Sequence, residues 1–191
     1  MGRRSILAAA LAVGAALLLL SLALLRGPRP ENTAMRAYEE VEAVVREEHP
    51  NALLVSIFTY QPYWDMVERG ADNWTFQYFD PDTRREFAYV WTPEGVEKGV
   101  PLPLVSMHGH RPGLCWPSWS VDSDRAVELV RERGADEAAK VYGDRILMIA
   151  VCRWGMSEIP EEVPPDASPL WIVGVGNPEA EGPVTLSLIH I

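Results

Sequence analysis

The sequence is poor in the residues that usually announce chemistry. It has two cysteines, Cys115 and Cys152, and four histidines among 191 residues. Two cysteines allow a single pairing, and spacing alone does not bring two Cα atoms within bonding reach. No glycine-rich phosphate loop and no G-x-S-x-G elbow occurs, so neither phosphate cradling nor hydrolase chemistry has a motif to rest on. Positive charge is scarce as well. Of 17 basic residues, Arg3, Arg4 and Arg26 flank the N-terminal apolar run, and the remaining 14 face 27 acidic residues. A surface that acidic repels phosphate backbones and anionic lipid, which excludes nucleic acid as a partner.

Apolar residues are plentiful, at 48% of the chain. That is enough to bury a core and to set aside disorder of the whole chain. Residues 5–25, SILAAALAVGAALLLLSLALL, carry no charge. About 20 such residues cross a bilayer as a helix. Arg3 and Arg4 precede the run, which keeps residues 1–4 in the cytoplasm. The run is longer than a typical signal-peptide core and ends in LLRGPRP, without a small-x-small cleavage site. The expectation is an uncleaved transmembrane signal anchor, with a cleaved signal peptide as the alternative. Both place the chain from residue 33 onward outside the cytoplasm, in a cell-membrane protein with one span. There a Cys115–Cys152 disulfide is permitted; two separate, partly buried thiols are the other reading.

Residues 26–32 form a stiff polar linker. Ala34, Ala37, Val41, Val44 and Val45 then recur at three- and four-residue steps, which predicts a helix capped by Asn32 or Thr33 and stopped by Pro50. ALLVSIFTY, 52–60, reads as a strand, and 63–72 as a connection of uncertain shape. In NWTFQYFDPDTRREFAYVW, 73–91, Trp74, Phe76 and Tyr78 share one face of a strand, and Phe87, Tyr89 and Trp91 one face of its return. The Asp80-Pro81-Asp82-Thr83 cluster between them is turn chemistry. Residues 93–120, rich in proline and glycine, read as a linker. A second helix over 123–133 carries Ala126, Val127 and Val130 on one face, with Asp122 or Ser123 as cap and Gly134 as stop. DEAAKVY adds a turn or two. Strands follow at 145–154, 169–176 and 183–188.

The second half repeats the first. Shifted by 97 residues, Trp74 falls on Trp171, Phe76 on Val173, Tyr78 on Val175, Tyr89 on Leu186 and Trp91 on Leu188. The helices align at a shift near 89 and the first strands near 93. The second copy keeps apolar bulk but exchanges aromatics for Val and Leu. The aromatic row is therefore expected to be the sheet face beneath a helix, with a ligand platform as the alternative.

The phrases DNWTFQYFDPDTRREFAYV, VDSDRAVELV and SPLWIVGV, in this order of elements, resemble tandem PepSY-like repeats, cystatin-like α+β units of bacterial and archaeal envelope proteins. The resemblance covers roughly residues 33–188. It implies an α+β fold of two repeated units, each a helix on a small antiparallel sheet: repeat 1 over 33–92 and repeat 2 over 121–188. It also implies an inhibitory or regulatory role toward peptidases, or a general binding role, and brings no catalytic residues. Repeat 2 is expected to end short of its closing strand, and residues 189–191 to be a non-native tail.

Chemistry has few footholds. His108, His110 and Cys115 could ligate Zn²⁺ or copper, but no fourth ligand is evident. A Cys115 nucleophile paired with His108 or His110 lacks an orienting third group. Glu158, Glu161, Glu162 and Asp166 lie in one proline-rich loop, where solvation rather than pKa splitting is expected. Asn73-Trp74-Thr75 fits a glycosylation sequon. The resulting expectation is a non-enzymatic, membrane-anchored, extracytoplasmic binding or regulatory protein without a cofactor, acting on a protein or peptide partner. The alternatives are a metal-dependent site around His108, His110 and Cys115, and a structural envelope component.

Overall fold

The structure, a computed structural model, describes residues 31–100, 121–151, 170–177 and 185–190. It is mixed α+β. Among the described residues, seven strands form one antiparallel sheet in the order β4-β3-β2-β1-β5-β6-β7, together with four helices. The anchor expected at 5–25 lies outside the described residues. Among the described ones, no helix is long and apolar enough to cross a membrane.

Helix α1 (Ala34–Glu48) starts at Thr33, whose hydroxyl accepts from Arg36 N at 3.4 Å. Its stripe Ala34, Ala37, Val41 and Val45 is fully buried. Alanine at 34 and 37 keeps this face flat, and Pro50 lies just beyond the C-terminus. Strand β1 (Leu53–Pro62) follows. The connection at 63–72 contains a short helix, α2 (Tyr63–Arg69), entered through Pro62 and left through Gly70 at φ 84°. Strands β2 (Trp74–Asp80) and β3 (Arg85–Thr92) form the hairpin, with Trp74 opposite Trp91 and Tyr78 opposite Phe87. At its turn Asp80 Oδ1 accepts from Asp82 N and Thr83 N, and Arg84 takes the left-handed conformation at φ 56°.

The expected linker at 93–120 begins instead with another strand, β4 (Gly95–Gly99), paired with β3. The Thr92-Pro93-Glu94-Gly95 turn lets the chain continue the ladder, with Gly95 at φ 147°. Residues 101–120 lie outside the described residues.

Helix α3 (Ser123–Glu132) is capped by Asp122. Gly134, at φ 95°, ends that segment and opens a separate helix, α4 (Ala135–Tyr142), where the sequence suggested a continuation. Strands β5 (Arg145–Val151), β6 (Leu170–Val175) and β7 (Thr185–His190) complete the sheet. Ile189 and His190, read as part of a foreign tail, pair with Trp171 and Leu170.

The two halves do not form separate sheets. Strands β1 and β5 pair antiparallel from Ser56↔Val151 to Pro62↔Arg145, joining all seven strands. Each half leaves one side of its first strand, β1 or β5, unpaired within that half, and pairing the two satisfies a full row of backbone donors and acceptors. One apolar core runs across the joint, from Val41, Ile57, Trp74 and Tyr89 to Ala126, Val130, Met148 and Trp171. The expected aromatic row is its centre: Trp74, Phe76, Tyr78, Tyr89 and Trp91 are at most 2% exposed.

The 97-residue shift does not hold through the last strand. Trp171 lies opposite Ile189, and Leu188 opposite Ile172, one residue out of step with Trp74↔Trp91. Adjacent strand positions alternate between faces, so this slip moves Leu186 and Leu188 off the register that matched Tyr89 and Trp91.

Candidate functional site

The residues singled out for metal or thiol chemistry, His108, His110, Cys115 and Cys152, lie outside the described residues, as do Glu158, Glu161, Glu162 and Asp166. Among the described residues, no group of three His, Cys, Asp or Glu side chains is arranged to hold a metal ion. Asn73 is half-buried immediately before β2.

The polar ends of three buried aromatics are anchored on α1. Trp91 Nε1 donates to Glu40 at 2.7 Å, Tyr78 Oη to Glu42 at 3.1 Å and Tyr89 Oη to Glu48 at 2.8 Å. Burial, reinforced by Glu42, pushes the Tyr78 phenol far up; burial and Glu48 push Tyr89 up to about 12. Lys98, followed by Tyr89, holds the Glu48 carboxyl below the usual range. These residues clamp a helix to a sheet. A second clamp joins the halves: Tyr63 Oη donates to Asp136 at 2.5 Å, and Arg131 donates to both oxygens of the same carboxylate at 3.0 and 3.1 Å.

Open chemistry collects at the other end of the β1·β5 joint. A cleft of about 310 Å³ is lined by Tyr60, Gly143, Asp144, Arg145 and Asn177. Its walls are built by backbone bonds. Tyr63 N donates to Asp144 O at 2.6 Å, Gly176 N to Arg145 O at 2.9 Å and Asn177 N to Tyr142 O at 2.7 Å. These tie the end of α4 to the start of β5 and the end of β6. Gly143 sits at φ 111°, and a Cβ there would come within 3.1 Å of Asn177 N, so only glycine permits the approach.

Within the cleft, the Arg145 guanidinium carbon stands 5.6 Å from the Tyr60 ring centroid. That is cation–π range. Tyr60 is 45% exposed. Neither Arg145 nor Asp144 has an ion-pair partner among the described residues.

None of these residues was singled out by sequence reasoning. Tyr60 ends a predicted strand and Arg145 begins another, and only the antiparallel pairing of those strands brings them together. The available signal was parity: Tyr60 stands out of step with the core-facing Ile57 and Thr59. No protein-family model, curated protein or solved structure matches the chain.

Proposed function

We propose that this is a non-enzymatic, membrane-anchored, extracytoplasmic protein built on two PepSY-like units, and that it works by binding a protein or peptide partner. The observation that carries the binding role is the exposed Tyr60 ring and the Arg145 guanidinium lining one cleft. Tyr, Trp and Arg are the side chains over-represented at interface hot spots, since they bring large contact area with few rotatable bonds and charge-assisted donors.

The two-unit reading is supported by matched contacts. Thr33 and Asp122, 89 positions apart, cap α1 and α3. Trp74 Nε1 donates to Asn32 O and Trp171 Nε1 to Val121 O, in each case the residue before the cap. The slipped register of β7 is where the match ends. The anchor rests on the uncharged run at 5–25.

Two measurements test the proposal. Cell fractionation with N-terminal sequencing of the mature chain should find an intact, membrane-bound protein; a soluble product beginning near residue 27 sinks the anchor. The membrane-reconstituted protein should inhibit an envelope or secreted peptidase, or bind it saturably, and a Tyr60→Ala variant that melts like the parent should lose that interaction. Unchanged partner affinity in that variant removes the surface from the account.

A further inference from the structure

Resting on that binding role, we infer that the cleft recognises a carboxylate, with the C-terminus of a partner peptide as its source. Arg145 is the anion anchor, Tyr60 the platform for the last side chain, and Asp144 the acceptor for a peptide N–H.

Three observations converge on this chemistry. First, the guanidinium lies against a ring and has no ion-pair partner among the described residues. Arg145 begins β5, its carbonyl is fixed by Gly176 N at 2.9 Å, and its side chain lies against the Tyr60 ring at 5.6 Å. Among the described residues it has no carboxylate partner, whereas Arg46 and Arg131 are bound to Glu42 and Asp136. An arginine fork held in one place matches two carboxylate oxygens at once, and its orientation is already restricted before the ligand arrives.

Second, Asp144 lines the same cleft, and it too has no side-chain partner among the described residues. A fixed negative charge on the wall disfavours a dianion such as a phosphate monoester, and the strongly acidic chain adds to that effect. A carboxylate carries one charge. The amide N–H groups behind a peptide's terminal carboxylate are donors that an aspartate accepts. An anion next to N–H donors is what a peptide terminus presents.

Third, the size suits a terminus. A volume of about 310 Å³, open to solvent, accommodates one or two residues and leaves the rest of a chain outside. The exposed face of Tyr60 offers apolar area for a side chain that remains at the rim.

The full-length protein in nanodiscs is titrated by calorimetry with three probes: N-acetyl-Ala-Ala-Phe with a free carboxylate, its C-terminal amide, and an N-acetyl, C-terminally amidated peptide carrying one internal aspartate. The free acid should bind about tenfold or more tightly than its amide. Arg145→Gln should erase that difference with the melting temperature unchanged, and Arg145→Lys should keep part of it. If the aspartate peptide matches the free acid, the carboxylate assignment holds and its source is a side chain. Equal affinity for acid and amide, or an Arg145→Gln variant that still discriminates, overturns the assignment. In that case a loss of both probes in Tyr60→Ala shows that the cleft still binds peptide, so the wider binding role stands without the carboxylate. Failure of every probe to bind the folded protein overturns the assignment, and the peptidase measurement above then decides the wider role separately.

Discussion

The indole rings of Trp74 and Trp171 meet in the core with centroids 5.9 Å apart, and each donates its N–H to the backbone just ahead of a helix. The pair belongs to neither half alone. Strands β2 and β6 are separated by β1 and β5, yet both rings reach under the paired starts of α1 and α3. Removing one should cost the whole fold. Trp74→Ala is expected to destabilise by roughly 3–5 kcal/mol, a large share of a small domain's stability. Chemical denaturation followed by far-ultraviolet circular dichroism checks it. Trp74→Ala and Trp171→Ala should also combine non-additively, because each empties space that the other's partner lines. A parent-like melt for either variant contradicts this placement.

The start of α3 caps the start of α1. Ser123 Oγ accepts from Ala34 N at 2.9 Å, and Asp122 Oδ1 accepts from Met35 N at 3.0 Å. The first N–H groups of a helix have no partner within it. Ser123→Ala strips the acceptor from a fully buried donor and should cost about 1–2 kcal/mol. Ser123→Thr, which keeps the hydroxyl, tests whether the loss follows the hydrogen bond or the packing. The idea fails if the alanine variant unfolds at the parent's denaturant midpoint.

Thr59 is the opposite case. It is 1% exposed, and its hydroxyl has no hydrogen-bond partner among the described residues. Its cross-strand neighbour is Met148. Thr59→Val replaces a desolvated, unpaired hydroxyl with a methyl of similar size. The variant should gain about 1 kcal/mol and melt higher. A lower melting temperature means that the hydroxyl is satisfied in solution.

Alkaline pH should unfold the protein through its tyrosines. Burial is the leading cause that raises Tyr38, Tyr63, Tyr78 and Tyr89, and carboxylates Glu42, Asp136 and Glu48 reinforce it. An unfolded tyrosine ionises near about pH 10. The folded state keeps its protons beyond that point, so the unfolded chain binds fewer, and stability falls as pH rises. The contribution is intact below about pH 10 and is lost above it. Phenolate absorbance of these four should therefore appear together with the loss of circular dichroism. Smooth ionisation with the fold intact contradicts the burial argument.

At the acid end, Asp136 is held below the usual carboxylate range, first by Arg131 and then, against burial, by Tyr63. Its stabilising share is present above about pH 4, the unfolded value for aspartate, and is lost as pH falls through the lower folded value. Asp136→Asn keeps an acceptor for Tyr63 but loses the charge facing Arg131. Its stability should depend less on pH below about 4 than the parent's. Identical acid profiles would place the acid sensitivity elsewhere.

Much of the architecture was legible in the residues themselves. The spacing of Ala34, Ala37, Val41 and Val45 marks a helix with one apolar stripe, since only a 3.6-residue period lines up those positions. The alternation of Trp74, Phe76 and Tyr78 with Thr75 and Gln77 marks a strand with one buried face, and Asp80-Pro81-Asp82 marks its turn. Apolar periodicity is a local property, and a chain displays it before it folds. Burial of Phe76 and Tyr78 also followed from sequence, because their counterparts Val173 and Val175 supply bulk without a ring, and these too are buried.

What the chain could not display is which elements meet. The pairing of β1 with β5, the β4 strand inside an expected linker, and the slipped register of β7 depend on backbone hydrogen bonds between distant segments. Those bonds carry no side-chain signature. The same is true of the cleft. Tyr60 and Arg145 are 85 positions apart in sequence, and each alone reads as an ordinary strand residue. Antiparallel pairing puts the end of β1 beside the start of β5, and the turn at Gly143 closes against Asn177. Sequence determined the elements and their buried faces, because those follow from local periodicity and hydrophobic burial. Tertiary structure decided the single sheet, the capping of one helix start by the other, and the juxtaposition of the Tyr60 ring with the Arg145 guanidinium, because those depend on long-range pairing.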